Sequence, residues 1–185
     1  ISKEVVRRIR HQGPLERLLD VGGGHGLYGA AMARRHPGLK VEVLDLAGAC
    51  EAGRAIIQSE GLSERVTHRV GDFREADWGE GLDMILIFNV LHNATWEEVQ
   101  AAFRRAHAAL RPGGTLVVCD AVHVGDDADL DMAAGWNELF FFVVSGAQAW
   151  PEPRLLADLN EAGFKVVKRS SLLAAPNFVL SLTKT

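Results

Sequence analysis

The chain has 185 residues, of which 48% are hydrophobic and 24% charged, so it suits one globular domain with a sizeable core. Its formal net charge of -4 argues against a nucleic-acid partner, because such a partner requires a strongly basic surface. The apolar runs are all far shorter than the ~18 residues of a membrane span, and we expect no membrane association.

The cysteine and histidine positions carry little sign of a disulfide framework or a metal site. Cys50 and Cys119 lie far apart without paired spacing, which favours a reducing compartment, and we expect a cytoplasmic protein. The seven histidines show no ligand spacing, and we predict no metal site. The chain begins at Ile1 without a signal-peptide pattern, so we expect a piece of a longer protein.

Strand and helix patterns alternate along the chain. The predicted strands are residues 17–21, 39–46, 65–70, 84–88, 115–119, 165–169 and 178–183. The predicted helices are residues 2–11, 27–35, 49–61, 96–110 and 136–144, and one that begins at Pro151 or Pro153 and ends at Ala162–Gly163. This alternation predicts an α/β fold with a doubly wound, mostly parallel seven-stranded sheet and helices on both faces. Because no helix separates the last two strands, we predict that the last strand is antiparallel.

The glycine-rich segment after the first strand is the most informative stretch. Glycines at 22, 23, 24 and 26 allow positive φ and let the backbone lie directly against a ligand. The helix that follows directs free N–H groups and the positive end of its dipole towards the same place. In an open α/β sheet this edge is where ligands bind, so the segment predicts a ligand site more than a plain turn. We call Gly22, Gly24 and Gly26 the glycine loop.

The ligand of the glycine loop has two interpretations. Residues 24–29 match the dinucleotide fingerprint G-x-G-x-x-G, which would indicate a nicotinamide-dependent dehydrogenase. That match is weak by itself, and a dinucleotide requires a second mononucleotide-binding half. Here the predicted parallel strands are followed by a closing β pair instead.

Several motifs in a fixed order resemble those of class I S-adenosylmethionine-dependent methyltransferases. More narrowly, they resemble the small-molecule O-methyltransferases that include plant caffeic acid and acetylserotonin enzymes and bacterial polyketide-tailoring enzymes. The matching segments are Leu19–Gly26, Val43–Leu46, Val70–Phe73, Val90–Asn93, Ala109–Gly114 and Glu161–Phe164. The resemblance covers nearly the whole chain from about Leu15. It implies a Rossmann-like domain over residues 1–185 that binds S-adenosylmethionine. The family's N-terminal domain, which dimerises and closes the acceptor pocket, is not among these residues, and we expect a homodimer for the intact protein.

The resemblance also implies cofactor-binding roles. The glycine loop would receive the methionine part and its carboxylate, and Asp45 would accept both ribose hydroxyls. Asp72 would accept from the adenine amino group while Phe73 and Leu46 pack beside the ring, although both apolar side chains also suit a plain core. Asn89 stands at a place where many relatives carry a basic residue, and we include it among the cofactor-binding candidates.

His92 matches the family's catalytic histidine and is the implied general base. The pKa of an unperturbed imidazole is about 3.5 units below that of a phenol, which corresponds to roughly 5 kcal/mol, so proton removal should accompany methyl transfer or use an acidified phenol. Asp120 stands where plant relatives place a glutamate that holds the histidine; a plain loop carboxylate is the alternative.

These residues predict an O-methyltransferase acting on a hydroxyl of a small aromatic or polyketide-like metabolite. The alternative is an S-adenosylmethionine-binding domain with lost or altered chemistry, because two family features differ. The second glutamate of plant members is missing near Ala149, and the tryptophan after the histidine is displaced to Trp96. The segment 136–144 suits an acceptor pocket, core packing or a subunit interface.

Overall fold

The computed structural model describes residues 2–121, 123, 132–147, 149–172 and 177–185. These residues form one sheet of seven strands: β1 (Arg17–Val21), β2 (Lys40–Asp45), β3 (Val66–Val70), β4 (Leu82–Phe88), β5 (Leu110–Ala121), β6 (Phe164–Ser171) and β7 (Asn177–Lys184). The strand order is β3-β2-β1-β4-β5-β7-β6. The first five strands pair in parallel, and β7 is antiparallel to both of its neighbours. The predicted mostly parallel sheet with an antiparallel last strand is confirmed.

Six helices accompany the sheet in the described part of the chain: α1 (Ser2–Arg8), α2 (Leu27–Arg35), α3 (Ala47–Ser59), α4 (Trp96–Ala109), α5 (Met132–Ser145) and α6 (Glu152–Glu161). A short 3-10 turn, Leu91–Asn93, follows β4. None of the helices in these ranges is long and apolar enough to cross a membrane.

The apolar run of β4 divides its side chains between two cores. Ile85 and Ile87 belong to the core that includes α4 and α6. Met84, Leu86 and Phe88 belong to the core that includes α1, α2 and α3. Successive side chains of a strand point to opposite faces, so a central strand with helices on both faces must be apolar at every position. The predicted two-sided packing is therefore confirmed.

The fifth strand begins earlier than predicted, because its turn signal forms a bulge. Leu110 already pairs with Leu82, and Thr115 then pairs with Met84, so Arg111–Gly114 forms an irregular segment between two paired regions. The proline there has no N–H to donate, and glycine permits the positive φ of 71° at position 113. A Pro-Gly-Gly signal indicates where regular pairing stops, but it contains no information on where pairing resumes.

The amino end of α4 has the capping box that the sequence predicts. The Thr95 hydroxyl accepts from the Glu98 amide at 3.3 Å, and the Glu98 carboxylate accepts from the Thr95 amide at 2.7 Å. Two of the four N–H groups that a helix end leaves free are thereby satisfied. This cap fixes the start of α4 at Trp96, four residues after His92.

Replacing the cap should destabilise the domain measurably. Thr95→Ala should lower the free energy of unfolding by about 1 kcal/mol, because the Glu98 amide loses its acceptor. Thr95→Ser keeps the hydroxyl and serves as the control, with a loss below about 0.5 kcal/mol. Urea titration followed by circular dichroism measures both values, and equal losses for the two variants would contradict the cap.

Candidate functional site

The carboxyl ends of β1, β2, β3 and β4 meet at one edge of the sheet and surround a cavity of about 350 Å³. Six of the predicted cofactor residues line it: Gly22, Asp45, Leu46, Asp72, Phe73 and Asn89. Sequence reasoning did not select five further lining residues: Leu44, Gly71, Arg74, Val90 and Asn93. Each of these five residues is adjacent in the sequence to a predicted site residue. The sequence pattern does not show which of two adjacent residues faces the cavity.

The glycine loop has the backbone that only glycine adopts easily. The φ angles of Gly22, Gly24 and Gly26 are 63°, 48° and 72°. A Cβ atom at Gly22 would collide with the side chain of Val90, which lines the same cavity. A side chain at position 22 therefore has no room beside Val90, and backbone lines the cavity at this point.

Asp45 ties the second strand to this loop. Its Oδ2 accepts from the Gly24 amide at 2.8 Å, and its Oδ1 accepts from the Leu46 amide at 2.7 Å. An ionised carboxylate has about four lone-pair positions, so roughly two remain for a ligand. Asp45 thus positions the loop and still offers acceptors to the cavity.

Asp72 lines the cavity with its carboxylate already engaged by Arg74. Asp72 accepts from the Arg74 backbone amide at 2.9 Å and from two guanidinium nitrogens of Arg74, the shorter distance being 2.7 Å. These hydrogen bonds hold the pKa of Asp72 below its usual range. The guanidinium also lies 5.7 Å from the centre of the Phe73 ring. Arg74 therefore organises both predicted adenine contacts.

Asn89 occupies a strained turn directly after β4. Its φ is 55°, and it is the non-glycine residue with positive φ in the described part of the chain. Its amide donates to Cys119 O at 2.8 Å, and its Oδ1 accepts from Asn177 at 2.9 Å. Asparagine tolerates this backbone better than most residues. Asn89 thus reaches the cavity edge while its side chain links β4 to β7.

His92 and Asp120 form a buried pair next to the cavity. Nδ1 of His92 lies 2.6 Å from Oδ1 of Asp120, and both side chains are 5% exposed. The carboxylate also accepts from the Leu91 and Ala121 amides, at 3.0 and 2.8 Å. If Nδ1 donates to the carboxylate, Nε2 holds the lone pair, and the ring is fixed in one tautomer. The structure thus brings together His92 and Asp120, which lie 28 positions apart in the sequence.

Two aromatic side chains lie near the turn that carries His92: Phe141, which belongs to the segment 136–144 considered for an acceptor pocket, and Trp150, which the sequence pattern did not select. The Phe141 ring of α5 stacks on the imidazole, with centres 4.3 Å apart and an angle of 24°. The buried Trp150 donates to Leu91 O at 2.8 Å and so holds the 3-10 turn in place. Most of the apolar surface of α5 is nevertheless exposed, including Trp136 and Phe142. The side chain of Asn137, which the sequence also offers as pocket lining, lies outside the described residues.

Asp20 is a buried carboxylate beneath the glycine loop. It is fully buried, and neither oxygen has a hydrogen-bond partner within normal geometry among the described residues. Burial raises the pKa of Asp20 to about 7, although the nearby Gly29 amide lowers it in part. A Cβ atom at Gly23 would lie 2.5 Å from the Asp20 carboxyl carbon, so this glycine makes room for the acid. The sequence offered one signal that Asp20 belongs to the site: it lies in the same segment, Leu19–Gly26, as the glycines.

The sequence predicts no metal site, and the grouping of possible metal ligands bears on that prediction. Within the ranges that the structure describes, no three or more His, Cys, Asp or Glu side chains are grouped to hold a metal ion. The acids and histidines of the cavity edge are instead engaged with backbone amides, Arg74 and one another.

Comparison with known proteins decides the family. A family model for the O-methyltransferase domain matches residues 1–165. The chain belongs to this O-methyltransferase family. Membership implies a methyl donor of the S-adenosylmethionine type.

Individual relatives of this O-methyltransferase domain differ in their named reactions. The aclacinomycin 10-hydroxylase RdmB of Streptomyces purpurascens is 41% identical over 113 residues, 60% of this chain and 30% of that protein. The mitomycin biosynthesis 6-O-methyltransferase of Streptomyces lavendulae is 28% identical over 166 residues, 90% of this chain and 46% of that protein. The solved structure of the mitomycin 7-O-methyltransferase MmcR superposes with a TM-score of 0.86 at 26% identity, over 100% of this chain and 53% of that chain. The chain thus spans less than half the length of these two curated relatives.

The residues of the cavity fit the implied cofactor. Gly22 of the glycine loop lines the cavity without a side chain, Asp45 keeps free acceptor positions, and Phe73 with Leu46 offers apolar surface for a flat ring. A volume of about 350 Å³ lies within the range of ordinary small-molecule sites.

Asp20 should make the stability of the domain depend on pH. Its folded-state pKa of about 7 lies above the ordinary value of 3.8, so the folded state binds more protons between pH 4 and pH 7. Stability from this group is therefore greatest below about pH 4 and falls as the pH rises towards 7. Asp20→Asn should remove this fall, a difference on the order of 2 kcal/mol between pH 5 and pH 8. Urea titrations of both proteins across that range measure it, and parallel pH profiles would contradict the raised pKa.

Proposed function

We propose that this chain is the catalytic domain of an S-adenosylmethionine-dependent O-methyltransferase. Its acceptor would be a hydroxyl of a small aromatic or polyketide-like metabolite. The observation that carries the proposal is the buried His92–Asp120 pair beside a cavity formed by the glycine loop and Asp45. A base and a cofactor-type cavity at one sheet edge are the two parts that methyl transfer to a hydroxyl requires.

The cofactor would be held by residues from four strand ends. The glycine loop would receive the methionine part, and the free acceptor positions of Asp45 would bind the ribose hydroxyls. Asp72 would accept from the adenine amino group beside Phe73 and Leu46, with Asn89 at the cavity edge. When bound, S-adenosylmethionine supplies a methyl group on a sulfonium that is already activated for in-line displacement.

The acceptor's proton would go to Nε2 of His92. Asp120 holds the opposite nitrogen, so the lone pair of the neutral ring is on Nε2, and the nearby carboxylate stabilises the imidazolium that forms. An ordinary imidazole takes a proton from a phenol at a cost of roughly 5 kcal/mol. The proton would therefore move as the oxygen gains the methyl group, when the acidity of the hydroxyl rises sharply.

Phe141 supports an aromatic acceptor. Its ring covers one face of the His92 imidazole and excludes water from it. A flat apolar side chain next to the base also suits a flat apolar substrate. The named reactions of the mitomycin 6-O- and 7-O-methyltransferases support a small hydroxylated metabolite as the acceptor class.

A second candidate is a domain that binds the same cofactor but performs different chemistry. The 41% identity to the aclacinomycin 10-hydroxylase favours it, as does the absence of the family's second glutamate near Ala149. Methyl transfer and hydroxylation give products that differ in mass by 2 units, so mass spectrometry of one reaction mixture distinguishes them.

We also propose that the intact protein is longer than this chain and is a homodimer.

Asp45→Ala should weaken binding of S-adenosylhomocysteine by about 1.5–3 kcal/mol, the usual contribution of hydrogen bonds to a charged group. The variant loses the proposed ribose acceptor and the acceptor of the Gly24 amide together. Glu42→Gln is the control, because Glu42 lies on the same strand and pairs with Arg69. Calorimetry measures both affinities, and unchanged affinity of Asp45→Ala would exclude this residue from the site.

His92→Ala should slow methyl transfer by about 10²–10⁴ while the affinity for S-adenosylhomocysteine is retained. The loss comes from the missing proton acceptor, since the glycine loop, Asp45 and Asp72, which would bind the cofactor, follow β1, β2 and β3. Transfer of radiolabel from labelled S-adenosylmethionine to a set of small phenols measures turnover in the full-length protein. His107→Gln, on α4 against Phe164, is the matched histidine control. A fully active His92→Ala variant would disprove the base assignment.

A further inference from the structure

We propose that His68 is a positioning residue: its imidazole donates a hydrogen bond to the Gly24 carbonyl and so shapes the glycine loop for cofactor binding. The inference rests on the proposed function, because the ligand is taken to be of the S-adenosylmethionine type. His68 lies on β3, two strands away from the loop in the sheet. The site residues inferred above do not include it.

The hydrogen bond has a defined direction. Nε2 of His68 lies 3.0 Å from the carbonyl oxygen of Gly24. A carbonyl oxygen only accepts, so Nε2 must carry the hydrogen. In the neutral ring Nδ1 is then a bare lone pair, and this atom is buried without a partner among the described residues. A second proton would place a charged N–H there with no acceptor, so the geometry favours the neutral ring with hydrogen on Nε2.

Two glycines provide the space that this imidazole occupies. Gly53 lies buried within α3, and a Cβ atom there would collide with both Nε2 of His68 and the Gly24 carbonyl oxygen. A Cβ atom at Gly26 would come within 3.2 Å of the same ring. Glycine in a helix interior costs about 1 kcal/mol relative to alanine. In α3 this glycine is Gly53, and it lies where the His68 ring and the Gly24 carbonyl contact the helix.

The hydrogen bond completes a clamp on Gly24. The Gly24 amide donates to Asp45 at 2.8 Å, and the Gly24 carbonyl accepts from His68 at 3.0 Å. Glycine loses more conformational freedom on ordering than any other residue. A loop that is held from both sides before the ligand arrives avoids that cost on binding. His68 therefore acts on affinity through the loop and not by touching the ligand.

Burial is the main reason that the His68 ring is neutral: it lowers the pKa of the imidazole, while the hydrogen bond to the Gly24 carbonyl raises it in part. Arg54 of α3, which donates to the His68 carbonyl at 3.1 Å, lowers the pKa further, and Asp45 raises it. The His25 ring of the loop is a further titratable neighbour. The donor on Nε2 is therefore present at neutral pH in an uncharged ring.

A pair of variants separates the hydrogen bond from the volume of the ring. His68→Gln can place an amide N–H near the position of Nε2, whereas His68→Leu fills similar space without a donor. By calorimetry we expect the dissociation constant of S-adenosylhomocysteine to rise about tenfold in His68→Leu and less than threefold in His68→Gln. His36→Leu, a histidine that contacts His11 outside the cavity lining, should leave the affinity unchanged. Rescue by glutamine is a result that a purely space-filling role would not produce.

The tautomer gives a second test that needs no ligand. A long-range ¹H–¹⁵N spectrum of the wild-type protein should show His68 with hydrogen on Nε2, and a ring with hydrogen on Nδ1 would overturn the proposal. Wild-type affinity in His68→Leu, or equal losses in the two variants, would overturn it while leaving the proposed function intact. A wild-type protein that binds no S-adenosylhomocysteine would overturn the proposed function and the inference together.

Discussion

The hydrogen bond between the Gly24 amide and the Asp45 carboxylate connects the loop after β1 to the end of β2, and the cavity depends on it. Three glycines of this loop have positive φ, and glycine permits many backbone conformations. Without the Asp45 acceptor, few interactions would favour the observed conformation of the loop. The clamp by His68 from β3 acts on the other side of the same residue. Three neighbouring strands thus determine the shape of one short loop, which is how a chain with few ligand-facing side chains builds a site.

A second set of contacts holds the proposed base on the other side of the cavity. Asp120 at the end of β5 binds the His92 ring and the Leu91 amide, while Trp150 binds the Leu91 carbonyl. Both backbone groups of Leu91 are therefore satisfied, and the 3-10 turn has little freedom to rotate the imidazole. Cofactor cavity and base come together because parallel strands all end at the same edge. In the proposed methyl transfer, the sheet would supply the alignment that in-line displacement requires.

The agreement between sequence and structure is closest where local rules act alone. Arg17–Val21 and Leu27–Arg35 have the predicted bounds, and the Thr95 capping box forms as expected. The differences occur where distant segments decide the outcome. Arg111–Gly114 became a bulge because β4 offers pairing partners on both sides of it. Helix α5 extends over Met132–Ser145, beyond the predicted apolar core of 136–144, and much of its apolar surface is exposed.

Residue order by itself determined the fold class, the glycine loop, and the acids and histidine that the family motifs mark. Periodicity and glycine spacing are local properties, so they can be seen without knowing the neighbours. Only the tertiary structure decided the burial of Asp20 and the contacts of His68 and Trp150. His68 reaches Gly24 and Trp150 reaches Leu91, and in both pairs the partner lies on a distant part of the chain. Burial and hydrogen-bond direction are properties of the packed chain, and a linear pattern contains neither.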